Sequence, residues 1–187
     1  GYSPLGDHTS LLNFNLSASN ITPNVYTVPR FASVGVNGNN YISLEDITFE
    51  KVTSNTLEAV RPSNNTLYQG ALQEASFTAT GEPYENIILI DSFTSKQFIQ
   101  STNNLNNSKF ISDNTFSVFV KDTATNIWTQ WSETASLFLE SAENKRYEKR
   151  LNQSGNYEFK FGNDQNGKKL TESDTVLIFY VTSDNQA

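Results

Sequence analysis

Only one stretch of this chain, Ser132 to Leu151 (SETASLFLESAENKRYEKRL), has a helix-like composition. Elsewhere apolar residues come in short runs that alternate with Asn, Ser and Thr. A period of two places one set of side chains on one face of a strand. The residues that divide the runs are Asn, Gly, Pro and Asp, each a turn former for its own steric or hydrogen-bonding reason. The pattern predicts a mainly β fold, with antiparallel sheets and hairpins in a barrel- or sandwich-like arrangement and at most one or two short helices.

Leu12, Phe14, Leu16 and Ala18 alternate with polar residues, and Asn20 to Asn24 reads as a turn. VYTVPRF (Val25 to Phe31) is a short extended run in which Pro29, lacking an N–H, belongs at an edge or strand end. Asn37-Gly38 suits a tight hairpin with positive φ. YISLEDITFEKV (Tyr41 to Val52) reads as strand, corner, strand. LYQGALQEASFTATG (Leu67 to Gly81) suggests a twisted or edge strand, and NIILID (Asn86 to Asp91) a buried one. TFSVFVKD, TATN and IWTQWSE form a hairpin with Trp128 and Trp131 on the return strand. A short helix is expected near Thr134 to Ser141, followed by a strand. YEFKFG (Tyr157 to Gly162) and TVLIFYV (Thr175 to Val181) are the clearest strands. Their proximity predicts that they pair through the turn at Asn163 to Gly167, with the second buried on both faces. The polar run Asn103 to Ser108 (NNLNNS) is the expected junction within one β-rich segment, dividing it into lobes of about 1–102 and 109–187.

The 187 residues include 13 Lys and Arg against 20 Asp and Glu, for a net charge of −7. Phosphate neutralisation needs an excess of cations, so neither nucleic acid nor an anionic membrane surface is an expected partner. The absence of Cys removes disulfides and thiolate metal sites. No apolar run has the length of a membrane span. With no Met at position 1, the sequence is expected to be a segment of a longer product.

Residues able to do chemistry are few. His8 is the only histidine, near Ser3 and beside Asp7 in a Pro- and Gly-punctuated terminus, and reads as a loop residue. One His cannot build a histidine zinc site. Asp164, Asn166 and Gly167 match three positions of a calcium loop, but Gly162 and Ser173 stand where the first and last carboxylates are required. Glu45, Asp46, Glu82, Glu85 and Asp91 read as ordinary turn and strand-end carboxylates, and nothing privileges any two of them as a glycoside-cleaving pair. The Asn-x-Ser/Thr triplets at Asn15, Asn20, Asn64, Asn106 and Asn152 fit a composition rich in these residues. Trp128 and Trp131, three apart on a strand, point to opposite faces, so at most one is a sugar platform. No catalytic, cofactor-binding or metal-binding residue is assigned, and no cofactor or small-molecule substrate is expected.

Several motifs in order nonetheless carry a resemblance. Phe161-Gly162-Asn163-Asp164, Gly167, Leu170 and TVLIFYVTSD resemble a strand-turn-strand signature containing FGDG. Tyr26 to Val34 resembles an I-P-x-G-T-x-F strand, Tyr41 to Phe49 the strand after it, and VFVKD with IWTQWSE a V-x-V-D-G-x-x-W hairpin. GYSP at the start resembles the exit from an N-terminal helical region. Together they are similar to the baseplate J-like family of contractile-tailed bacteriophages, over nearly the whole chain. Arg30 and Phe31 follow Pro29 without the glycine, FGND replaces FGDG, Thr171 to Asp174 replaces Pro-x-Gly, and the final G-x-x-A-N appears as SDNQA.

The resemblance implies a non-enzymatic virion structural protein, a segment of a baseplate wedge subunit. It would assemble in the host cytoplasm into a sixfold ring around the tail hub. Its implied partners are other wedge proteins and a second copy of the same chain. In that family the Asn163 to Gly167 turn is architectural: Gly162 and Gly167 are expected to supply permissive φ, while Asn163 and Asp164 bond their own backbone. The alternative reading, supported by Trp128, Trp131 and the Asn-rich loops, is a carbohydrate-binding or adhesin β-sandwich.

Overall fold

The computed structural model describes residues 8–61, 65–89 and 110–183. The expected junction at Asn103 to Ser108 lies outside these residues, as do Ser3, Asp7, Asn64, Asp91, Asn106 and the terminal DNQA. The described chain is mainly β, with antiparallel sheets that form a half-barrel and a nearly closed barrel.

The N-terminal strands are β1 (Leu11–Asn13), β2 (Leu16–Ser17), β3 (Val25–Val28), β4 (Ser33–Val36), β5 (Asn39–Ser43), β6 (Ile47–Thr53), β7 (Thr56–Ala59) and β8 (Thr66–Gln69). They make two four-stranded sheets, in the orders β1-β8-β5-β4 and β2-β7-β6-β3. Asn37 and Gly38 both take positive φ in the β4–β5 hairpin, and Pro29 sits just past the end of β3. The inward faces bury Ile47, Phe49, Leu57 and Leu67 in one core. The alternating run at Leu12 to Ala18 is divided, because β1 pairs with β8 and β2 with β7.

The C-terminal strands are β9 (Ala71–Thr78), β10 (Asn86–Leu89), β11 (Phe110–Ile111), β12 (Ser117–Lys121), β13 (Trp128–Glu133), β14 (Arg146–Leu151), β15 (Tyr157–Lys160) and β16 (Thr175–Ser183). Their sheet runs β10-β15-β14-β13-β12-β16-β11, and β9 also pairs with β16. Within the described residues the strands change sheet and core at Gly70, between β8 and β9. Gly70 has a φ of +138°, and a Cβ there would stand 2.3 Å from the Thr182 carbonyl. Only glycine lets the chain cross the end of β16 at that distance.

The β12–β13 hairpin forms as its alternation predicts, with Val118 opposite Trp131. A 3-10 turn at Leu137–Leu139 stands where the short helix is expected, and β14 follows it. Among the described residues one pairing is parallel, β13 with β14 through Ser132 to Arg146 and Glu133 to Tyr147.

The expected pairing of YEFKF with TVLIFYV is corrected. β15 lies between β10 and β14, whereas β16 pairs with β9, β12 and β11. Length decides this: β9 matches β16 residue for residue from Thr78–Thr175 to Ala71–Thr182, and four-residue β15 would leave half that ladder unpaired. The strand is buried in full on one face, at Val176, Ile178 and Tyr180. The other face is partly covered, with Phe179 against Phe31 at 4.7 Å between ring centroids.

That contact belongs to the joint between the lobes. After β3 the chain turns through Pro29, Arg30 and Phe31 and lays this tip on β12, β13 and β16. Arg30 donates from Nη1 to Gln130 at 3.0 Å and from Nη2 to Ser117 at 2.7 Å. Its guanidinium lies 4.9 Å from the Phe31 ring centroid and 5.0 Å from that of Phe119. Phe31 has a φ of +64°, a costly conformation for a bulky residue, held by its N–H to Ser43 and by the ring stacking.

Candidate functional site

Two clefts are the candidate sites. The first, about 530 Å³, lies at the joint and is lined by Arg30, Glu45, Asp46, Tyr68, Asn114 and Gln130 among others. Its charges are largely committed. Asp46 accepts the Arg30 N–H at 2.7 Å, and the guanidinium donates from its two Nη atoms to Gln130 and Ser117 while its buried Nε has no hydrogen-bond partner among the described residues. Burial pulls the Arg30 pKa down, and Glu45 and Asp46 oppose that shift. Burial likewise raises the Tyr68 phenol. Glu45 and Asp46, read from sequence as turn or strand-end carboxylates, sit at an exposed corner, where Asp46 braces the joint through the Arg30 N–H.

The second cleft, about 520 Å³, lies by β14 and β15 and is lined by Tyr84, Glu133, Glu148, Lys149, Arg150, Glu158 and Lys160 among others. Glu148 accepts the Leu137 N–H at 2.8 Å. Lys149 donates to the Asp113 carbonyl at 2.6 Å and lies 3.9 Å from Glu133. Glu158 accepts from Arg150 and, at 3.1 Å, from Asn152. These donors, Arg150 foremost, hold the Glu158 carboxyl below its ordinary value near 4.5. A lowered folded-state pKa means that the unfolded chain takes up the proton first. The stabilisation is therefore present above about pH 4.5 and lost as pH falls through the folded value. Glu158→Gln is expected to lower Tm at pH 7, with the gap to the parent narrowing below pH 4.5. A gap independent of pH would refute the assignment.

The remaining carboxylates also serve turns. Glu85 accepts the N–H groups of Thr80 at 2.8 Å and Gly81 at 3.2 Å, and Glu82 is exposed. His8 is exposed, and among the described residues no three His, Cys, Asp or Glu side chains group as a metal site. Asn152 closes its own turn by accepting from Ser154 and Asn156, both at 3.0 Å.

The Asn163 to Gly167 turn spends its oxygens on itself. Asn163 Oδ1 accepts from Gln165 at 3.0 Å and Asn166 at 2.8 Å, while Asp164 Oδ1 accepts from Lys169 at 2.9 Å. The Lys169 bond, with Lys168 at 3.4 Å, lowers the Asp164 pKa. The expectation for Gly162 is corrected in its reason. Gly167 takes positive φ, at +79°, but Gly162 does not. A Cβ on Gly162 would stand 2.1 Å from the Gly167 carbonyl oxygen, so this position is glycine for lack of space. The left-handed partner of Gly167 in the turn is Asp164, at +65°. Calcium or chelator is expected to leave Tm unchanged. A site filled to about a hundredfold over Kd would add roughly 2.7 kcal/mol, so a rise of several degrees with calcium would overturn this account.

The tryptophans face opposite ways. Trp131 is buried against Phe161 at 5.5 Å, and Trp128 is 45% exposed with the Lys121 ammonium 5.6 Å from its ring. Sequence reasoning missed the Arg30 clasp, whose partners lie 87 and 100 residues away. It also missed the exposure of Phe138 and Leu139, although two large apolar residues among Ser and Glu (SLFLES) are a signal for it.

The described fold is mainly β, with two cores that meet at the Arg30 tip and two clefts lined by charged and polar residues. No family profile matches the chain, and no curated protein matches it. No helix among the described residues is long and apolar enough to cross a membrane.

Proposed function

We propose that this chain is a non-enzymatic structural segment of a phage tail baseplate wedge, acting through protein–protein contacts. The observation that supports the reading is the backbone at the departures from the family's motifs. The missing glycine of P-x-G falls at Phe31, and the second glycine of FGDG falls at Asp164. In the stretch that replaces Pro-x-Gly the turning residue is Ser173. These three residues have φ of +64°, +65° and +69°. Left-handed backbone is what glycine adopts most readily, so residues that stand where the motifs carry glycine are expected to show it, at a cost to their side chains.

Immunogold electron microscopy tests this, with antibody to the chain on tailed particles from a lysate that contains it. Gold at the tail tip is expected, and gold on the capsid or only on free protein refutes the reading. Trp128→Ala is expected to leave glycan-array binding and host adsorption unchanged. Intact baseplates with defective adsorption would favour the carbohydrate-binding alternative.

A further inference from the structure

Lys149 occupies an inward position of β14. It alternates with Tyr147 and Leu151, which pack in the C-terminal core, while Glu148 and Arg150 take the opposite face. Its side chain is 11% exposed, and its ammonium stands 5.1 Å from the centroid of the Phe116 ring and 6.0 Å from that of Tyr157. Stripping an ammonium of water is costly, and an aliphatic residue would fill the same space without that penalty. Two carboxylates flank the nitrogen, Asp113 Oδ1 at 3.5 Å and Glu133 Oε2 at 3.9 Å. The Asp113 backbone carbonyl also accepts from it, at 2.6 Å. Each carboxylate comes from a fixed element. Asp113 lies in the turn before β12, where the Ser112 carbonyl accepts from the Thr115 N–H at 3.3 Å and from its Oγ1 at 2.8 Å. Glu133 ends β13 and stands opposite Tyr147 in the parallel ladder, two residues before Lys149. An ion pair needs one carboxylate. An amine held against one carboxyl group, with a second beside it, is the set of groups for a condensation: nucleophile, electrophile and proton carrier.

We infer that Lys149 and Asp113 form an intramolecular isopeptide bond, with Glu133 as the proton carrier. The step balances without oxidant, reductant or cofactor. One proton passes from the Lys149 ammonium by way of Glu133 to the Asp113 carboxylate, leaving an amine and an acid. The Nζ lone pair attacks Asp113 Cγ, and the C–N bond forms. Glu133 then takes a second proton from the nitrogen and hands it to the departing hydroxyl, so that a Cγ–O bond breaks and water leaves. One ammonium and one carboxylate are consumed, one amide and one water result, and the net charge of the chain is unchanged. Holding the reacting groups in contact makes the step intramolecular, which removes much of its barrier. The rings of Phe116 and Tyr157 shield the groups from bulk water. The product amide is neutral and stays buried without the desolvation penalty of the ion pair. The bond ties β14 to the turn before β12, a covalent staple in a chain that has no Cys to make a disulfide. The inference goes beyond the baseplate reading and does not depend on it.

Tryptic peptide mapping by mass spectrometry tests this on the full-length protein. Trypsin is expected to spare Lys149 and to release FISDNTFSVFVK joined to YEKR, one water lighter than the two peptides together. Lys149→Arg, which keeps the charge but not the nucleophilic amine, and Asp113→Ala are each expected to give only unbranched peptides. In denaturing gels the boiled parent is expected to run ahead of both variants, because residues 113 and 149 stay joined. Glu133→Gln is expected to leave most of the protein unbranched, with a far-UV circular dichroism spectrum that matches the parent's. Full branching in that variant would remove the role given to Glu133. Separate peptides from the folded parent, with Lys149 cleaved, would overturn the inference, and so would a loss of water that maps to any other pair of residues. The parent protein itself supplies the deciding result, so a variant that fails to fold does not remove the test.

Discussion

Ile178→Asp is expected to leave the chain unfolded or insoluble. Ile178 is fully buried in the middle of β16, opposite Ala75 of β9 and Val118 of β12. Its side chain lies in the core with Val118, Val176 and Phe159. A carboxylate there either loses its hydration or takes up a proton, and either course costs several kcal/mol. The whole stability of a domain is about 5–15 kcal/mol, so this one change consumes much of it. Loss also spreads, because β16 joins β9 to β12 and carries the Phe179 ring on which the N-terminal tip rests. Expression, far-UV circular dichroism and a melt are the measurements. A soluble variant melting within a few degrees of the parent would refute the central role given to β16.

Gly162→Ala is expected to cost about 3 kcal/mol, the upper part of the range for overpacking. The added methyl would meet the Gly167 carbonyl carbon at 2.2 Å and the Asn166 oxygen at 2.7 Å, and backbone cannot swing aside as a side chain can. The turn would have to open, straining the bond from Gly162 N–H to the Lys168 carbonyl and displacing the buried side chains of Phe161 and Leu170. Gly38→Ala is the control. Gly38 has a φ of +81° and nothing within 4 Å of an added Cβ, so only the conformational cost of about 1–2 kcal/mol applies. For a chain of this size each kcal/mol shifts Tm by about 2–4 °C. Equal shifts in the two variants would show that the Gly162 position is not limited by space.

The turns and hairpins were legible in the sequence where their causes are local. Asn37-Gly38 sits between two alternating runs, and Trp128 and Trp131 stand three apart on one strand. Such features need only the pleat and the φ preferences of a few adjacent residues. The architectural reading of the Asn163 to Gly167 turn was legible for the same reason, since its acceptors and donors lie within six residues of each other. The cause of Gly162 was not, because crowding by Gly167 depends on how tightly the turn closes. Phe31 was read as a departure from a glycine motif. That its backbone is left-handed all the same depends on Ser43 and on Phe179, which is 148 residues further along the chain.

The sequence by itself determined that this protein is built of strands, where the β4–β5 and β12–β13 hairpins turn, and that Trp128 and Trp131 face opposite ways. Those outcomes follow from period-two burial and from turn residues acting within a few positions. Only the tertiary structure decided that β16 pairs with β9 rather than with β15, that β13 and β14 run parallel, and that Arg30 clasps Ser117 and Gln130 across the joint. Each of those choices weighs one distant partner against another, by ladder length, matched faces and shared burial. Nearness along the chain carries none of that energy.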